Sequence, residues 1–263
     1  MCGRYVLIDG KVIFAVSAQL QTWRNEGKEF DILPRYDARP TNLMPIVAQI
    51  KNVSAAGDPG CRIILMRWGL VPHWSKDGKT EFSTFNAKSE TLHTSKLYSP
   101  YFKSARCLVP ADGFFEWKKY TIETEILGKP KTVEHKQKMY ISMKDRTPFM
   151  MAGLFSIWKN KDGEDFPTYT IITTSSNEFL SDIHDRMPVI LDQKNYEIWL
   201  DRGMNDVNFL KTLLVPYPSQ KMMAFPVTNK SEESPAMIEK IEFDVPTASD
   251  LMKVTKPIIS KNK

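Results

Sequence analysis

Apolar and polar positions along this chain change period often, and no period lasts long. From Lys11 to Asn25, Val12, Val16, Leu20 and Trp23 recur at helical spacing and predict an amphipathic helix. Ile46–Val53 and Arg62–Arg67 read as strands, and the turn-rich segment Asn52–Gly60 between them predicts a hairpin. Arg106–Pro110 and Phe114–Tyr120 are further strands. Gly128, Lys129 and Pro130 form a turn, after which Thr132–Met143 returns as a ribbon rich in Lys, Glu, His and Gln. Phe149–Phe155 and Tyr169–Thr174 are apolar or β-branched strands. Ser176 is placed to cap a short helix ending near Ile183, and Asp192 to cap another running to Leu200. Lys221–Val227 reads as a late strand.

Strands and short helices are interspersed without a βαβ rhythm. The predicted class is α+β, one domain with a bent, mostly antiparallel sheet and short peripheral helices. The domain is expected over residues 1–243, followed by a polar, lysine-bearing tail over 244–263.

Composition narrows the function classes. Hydrophobic residues make up 42% and charged residues 25% of 263, a globular balance that argues against intrinsic disorder. The net charge of +5 permits an anionic partner without requiring one. Three cysteines, Cys2, Cys61 and Cys107, show no CxxC spacing, so neither a disulfide framework nor a zinc knuckle is expected. That usage suits a reducing, cytoplasmic compartment. No apolar run approaches the roughly 20 residues of a membrane helix, and the first residues do not read as a secretory signal. GxGxxG, P-loop, HExxH and GxSxG motifs are absent, so no cofactor and no metal is expected.

Cys2 carries the most distinctive chemistry. An initiator methionine before a small residue is commonly removed, which would leave an α-amine and a thiol side by side. Their reference pKa values are about 8 and about 8.5, so roughly a tenth of the amine is uncharged at pH 7. An aldehyde condenses with such an amine to an imine, and the thiol can close on the imine carbon as a five-membered thiazolidine. The plain alternative is a cysteine that happens to stand at position 2.

Three other segments offer partners. In Gly113–Lys118, strand alternation puts Phe115 and Trp117 on one face and Phe114, Glu116 and Lys118 on the other. A carboxyl among aromatics is desolvated and its pKa rises toward the range of proton transfer. The alternative is a surface glutamate on an edge strand. His184 lies in a polar segment, Ser181–Pro188, that offers carboxylates to orient it, although a lone histidine is more often structural. Asn86 can donate and accept hydrogen bonds. Arg67–Trp74 pairs tryptophans with basic groups across a proline-stiffened loop. Such groups suit single-stranded nucleic acid if exposed, or a core if buried.

In this order, MCGR, WGLVPHW, NAKSE, GFFEW and IHDRMP resemble the SRAP family, the SOS response-associated peptidases, which include the abasic-site shielding proteins of bacteria and eukaryotes. The resemblance runs from residue 2 to about residue 240. It implies a barrel-like antiparallel core and a positively charged cleft for single-stranded DNA containing abasic sites. The activity it implies is a DNA-damage response: covalent capture of an abasic site as a thiazolidine on Cys2, together with abasic-site lyase action. Asn86, Glu116 and His184 match the family's other active-site positions. Arg4, Lys88 and Lys96 match its phosphate contacts, and Pro40, Trp68 and Trp117 line its DNA cleft. Lys88 and Lys96 stand where the family usually has arginine, which keeps charge and loses the bidentate fork.

Two alternatives accompany this reading. One is a thiol peptidase or autopeptidase in which Cys2 pairs with His184 and Asn86 orients the ring. The other is a non-covalent single-stranded DNA-binding module. A monomer is expected, associated with the nucleoid in a bacterium.

Overall fold

Short extended pieces bury their backbone polar groups only by pairing, so this chain's architecture is set by which strands meet. The structure is a computed structural model that describes residues 2–8, 34–49, 61–80, 83–126, 129–230 and 233–243. Its strands are β1 (Tyr5–Leu7), β2 (Arg35–Ala38), β3 (Leu43–Gln49), β4 (Cys61–Trp68), β5 (Asn86–Lys88) and β6 (Arg106–Ala111). They continue as β7 (Gly113–Ile126), β8 (Lys129–Met143), β9 (Phe149–Lys159), β10 (Asp165–Ser175), β11 (Arg186–Pro188) and β12 (Met222–Pro226).

Two sheets result. In the first, β10, β4, β3, β6 and β9 pair in that order, and β9 returns to pair β10, closing a barrel. Closure removes the free edges that a small open sheet would expose. β10 is buried from Thr168 to Thr174, which explains why its sequence is a nearly continuous run of β-branched and aromatic residues. Thr173 pairs with Lys88 of β5 and with Pro188 of β11, so these two short strands flank β10 on opposite edges.

The second sheet has the order β12-β8-β7-β1-β2. Strand alternation gives it two apolar faces. Tyr5, Leu7, Phe114 and Ile141 join the main core, while Val6, Phe115, Tyr140 and Phe225 form a smaller core with Val227 and Met237. The hydroxyls of Tyr5 and Tyr169 share a 2.8 Å hydrogen bond that ties β1 to the barrel.

The α+β class stands, with a closed barrel as its centre. The pairings of β10 with β4 and with β5 are parallel, against an otherwise antiparallel pattern. β3 and β4 form the expected antiparallel pair, from Gln49↔Cys61 to Leu43↔Arg67. The 52–60 turn, the 11–25 helix and the 244–263 tail lie outside the described residues. The short helix expected after Ser176 is capped one residue later. Asn177 accepts from the Leu180 N–H at 2.9 Å, and the helix spans Glu178–Ser181. Asp192 precedes a 3-10 turn, Gln193–Asn195, without capping it through its side chain, and the helix Tyr196–Leu200 follows.

Gly153 on β9 pairs with Cys107 on one side and Ile171 on the other. A Cβ there would stand 2.8 Å from Cys107 Sγ and 2.9 Å from the Thr170 carbonyl oxygen. Backbone on a closed barrel cannot retreat. We expect Gly153→Ala to lower the unfolding free energy by about 1–3 kcal/mol, read as an earlier urea midpoint at unchanged slope.

Candidate active site

Cys2 precedes β1, which lies between β7 and β2, and this position carries it into the core. The residue is fully buried. Its carbonyl oxygen accepts from Asn86 Nδ2 at 2.8 Å. Asn86 is presented by the parallel β5–β10 pairing, opposite Ile171. Its Oδ1 is buried and has no hydrogen-bond partner among the described residues, so one acceptor remains beside residue 2.

Glu116 sits on β7, an interior strand, and faces the main core as alternation predicts. It is 3% exposed, which excludes the reading of a surface glutamate on an edge strand. Burial pushes its carboxyl up to about 7. Burial, reinforced by the Glu116 charge, also pushes the Cys2 thiol up, so the resting thiol keeps its proton.

His184 follows the helix Glu178–Ser181, and its N–H donates to the Leu180 carbonyl at 2.9 Å. Its Nδ1 lies 3.0 Å from the Arg186 backbone nitrogen and 2.9 Å from the Asp185 carboxylate. Nε2 lies 3.7 Å from Glu116 Oε2. Burial lowers the ring's pKa, against the exposed Asp185 carboxylate 2.9 Å from Nδ1, which raises it. Near neutral pH the site therefore holds a carboxyl close to half ionised, a neutral imidazole and a protonated thiol. Groups so balanced move protons rather than hold charge.

A cationic cluster lies along β1, β2 and β8. Buried Asp37 accepts from Arg39 Nε at 2.7 Å and also from Arg39 Nη2, and lies 3.5 Å from Arg4 Nη1. The Arg4 guanidinium stands 5.3 Å from the Trp117 ring centroid, within cation–π range. Lys138, opposite Trp117 on β8, donates from Nζ to the Lys230 carbonyl at 2.9 Å. Burial and the charges of Arg4 and Arg39 bring its ammonium down to about 8, while Asp37 opposes them. Arg4 and Arg39, with the fully buried Lys138 behind them, stand with two carboxylates, Asp37 and Glu233, and leave a small positive excess.

Trp68 is fully buried. Its indole N–H donates to the Phe85 carbonyl at 2.8 Å, and its ring stacks on Tyr169. It forms a wall of a cavity of about 370 Å³ shared with half-buried Pro40 and Arg67 and with buried Thr84, rather than an open stacking platform. Pro40 and Thr41 are the central residues of a tight turn closed by Asn42 N–H to the Arg39 carbonyl at 3.0 Å, with Thr41 at φ 79°. Lys88 is exposed at the end of β5, and Lys96 lines a separate cavity. Contacts thus join Asn86 to Cys2 and His184 to Glu116, and the Glu116 charge acts on the Cys2 thiol between the two pairs. They also bring Arg4 to Trp117.

Comparison with known proteins gives the family. The family model for SOS response associated peptidase (SRAP) matches residues 1–233. This chain belongs to the SRAP family. The abasic site processing protein YoqW of Bacillus subtilis (strain 168) is 34% identical over 244 residues, covering 91% of this chain and 99% of YoqW. The abasic site processing protein HMCES of Gallus gallus is 32% identical over 246 residues, covering 87% of this chain and 71% of HMCES. A crystal structure of a protein from Bacteroides thetaiotaomicron superposes with a TM-score of 0.68 at 26% identity, covering 91% of this chain and all of that one.

Sequence reading of this SRAP chain missed Asp37, Arg39 and Lys138. The spacing of Asp37, on β2, and Arg39, just past its end, was a usable signal once β2 was known. Lys138 had none, because its neighbours come from the β7–β8 register. Among the described residues no group of three His, Cys, Asp or Glu is arranged to hold a metal, and no helix is long and apolar enough to cross a membrane.

The raised Glu116 pKa has a signed consequence. Between its ordinary value near 4.5 and about 7, the folded state keeps a proton that the unfolded state releases. Stability therefore falls as pH rises through this window. Relative to Glu116→Gln, the wild type should lose up to about 3 kcal/mol between pH 4.5 and 7 and no more above it. Urea unfolding across this range checks it, and parallel pH profiles for the two proteins would contradict the assignment.

Proposed function

We propose that this chain captures abasic sites in single-stranded DNA by covalent bonding to Cys2 after Met1 is removed. The observation that carries the reading is a buried carboxyl, raised to about 7, that acts on the Cys2 thiol on one side and faces His184 on the other. The names of YoqW and HMCES, both abasic site processing proteins, support the same substrate.

The chemistry follows from the groups. His184 moves a proton at the sugar oxygen as the deoxyribose ring opens to its aldehyde. The Cys2 amine adds to the carbonyl carbon, and loss of one water gives an imine. The thiol then gives up its proton and its sulfur bonds to the imine carbon, while the imine nitrogen gains a proton. The product is a thiazolidine, and the sequence as a whole releases one water. Glu116 relays these protons, since a carboxyl near 7 both accepts and donates at neutral pH. Asn86 fixes the backbone of residue 2 and leaves Oδ1 for the amine or sugar. The imine is also competent for elimination of the 3′-phosphate, which is the abasic-site lyase part of this reading. Arg4 and Arg39 supply countercharge for the strand.

The thiol-peptidase alternative needs a thiolate beside an imidazolium. A thiol pushed up by burial beside a histidine pushed down does not favour it.

The test uses protein whose N-terminus is read by mass spectrometry and an oligonucleotide with one abasic site. A denaturing gel should show a covalent band for wild type and none for Cys2→Ala. Glu116→Gln should slow band formation by about 10²-fold or more, as loss of a positioned acid–base group does. An undiminished band with Cys2→Ala would overturn the proposal.

A further inference from the structure

A cavity of about 330 Å³ opens between the helix Ser99–Ser104, strand β9 and Arg202. Its polar groups include His73, Tyr101, Ser156 and Arg202, and its apolar wall includes Phe155 and Ile157. No aspartate or glutamate lines it, and none of its lining residues belongs to the group around Cys2. The volume falls at the lower end of the range that holds small ligands.

Arg202 makes no ion pair among the described residues. Its backbone N–H donates to Gln49 Oε1 at 3.0 Å, and its Nη1 donates to the Gln49 carbonyl at 3.2 Å. Nε is buried without a partner, and no hydrogen bond uses Nη2, among the described residues. The edge left over is the one that a carboxylate or phosphate takes side-on. The neighbouring Asp201 is exposed, and its Oδ1 accepts from the Gly203 N–H at 2.7 Å. Arg106 adds a second guanidinium. It is buried and donates to the carbonyls of Phe102, Lys103, Trp199, Asp201 and Met204 rather than to a carboxylate. Burial brings its pKa down to about 10, Asp201 opposes this, and the Arg202 charge adds to it. Two guanidiniums thus share a region in which one exposed carboxylate, Asp201, opposes them.

The His73 imidazole is held in place beside them. The Tyr101 hydroxyl oxygen accepts from the His73 N–H at 2.9 Å and from Ser156 Oγ at 3.3 Å, and lies 2.9 Å from His73 Nδ1. The two rings meet edge to face at 5.9 Å. These contacts fix the imidazole and leave Nε2 without a hydrogen bond among the described residues. Polar groups fixed in advance give up little conformational freedom when a ligand arrives. We propose that this cavity binds a small organic anion, a carboxylate or phosphate on a compact apolar body, with its head on Arg202 and His73 and its body against Phe155 and Ile157. The uncompensated positive charge argues for the head, and the apolar wall argues for the body. The site is independent of abasic-site capture and gives the chain a second ligand.

The probes are benzoate and phenyl phosphate, with benzyl alcohol as the uncharged control. Each is titrated at constant ionic strength into the isotope-labelled full chain, and amide chemical shifts are read. At least one anion should shift the Phe155 and Ser156 amides saturably below about 10 mM, while the Asn86 and Glu116 amides stay in place. The tighter of the two names the head group, and benzyl alcohol should produce no such shifts. Arg202→Gln should weaken binding by roughly 10- to 150-fold, the loss of one charge-assisted hydrogen bond, and Arg202→Lys should weaken it less. His73→Gln, at an exposed position, should weaken it by roughly 2- to 12-fold. Each variant should melt as wild type does. No saturable shift with either anion, or wild-type affinity in Arg202→Gln, would overturn the site. Displacement of the bound anion by an intact single strand of DNA would overturn the small-molecule occupant.

Discussion

A carboxyl group held at 3% exposure on a strand paired along both edges cannot carry a full charge cheaply, and the character of this site follows from that constraint. Glu116 stays near half ionised. Its partial charge and the shared burial keep the Cys2 thiol protonated, and the same burial keeps His184 neutral. The reactive groups are thus mutually poised by desolvation rather than by a permanent ion pair.

The cations are kept apart from this pocket. Arg4 and Arg39 meet at Asp37, and Arg4 covers the outward face of Trp117, whose neighbour Glu116 points inward. A single strand, β7, therefore separates two electrostatic regimes by alternation alone. One face handles protons and the other presents positive charge. The Glu233 carboxylate accepts from the Tyr36 N–H at 2.6 Å and the Asp37 N–H at 3.3 Å, which holds β2 in place where the sheet ends.

Local pattern made some of this legible. Alternation in GFFEW separated Glu116 from Phe115 and Trp117 and suggested a desolvated carboxyl, but which face turns inward came only from the pairing of β7 with β1 and β8. An apolar run located β9 and a β-branched run located β10. Local pattern did not decide between Trp68 and Trp74, which share one motif. Trp68 ends a barrel strand and is sealed by Tyr169, whereas Trp74 lies on a loop that no strand covers. Strands of three or four residues, β1, β2, β5 and β11, carry too few positions to show a period. They exist because longer strands offer them an edge. Arg39 and Lys138 became neighbours of Arg4 only through long-range register, which no window of sequence contains.

β10 meets β9, β4, β5 and β11, so one strand fixes both the position of Asn86 and the start of the segment after His184. This has a consequence in time. Residue 2 leaves the ribosome first, and His184 follows it by ~10–40 s at 5–20 residues per second. Until β10 has docked, the aminothiol that Met1 removal would create has neither its histidine nor its asparagine. The burial of residue 2 and its hydrogen bond to Asn86 therefore begin only with the completed barrel.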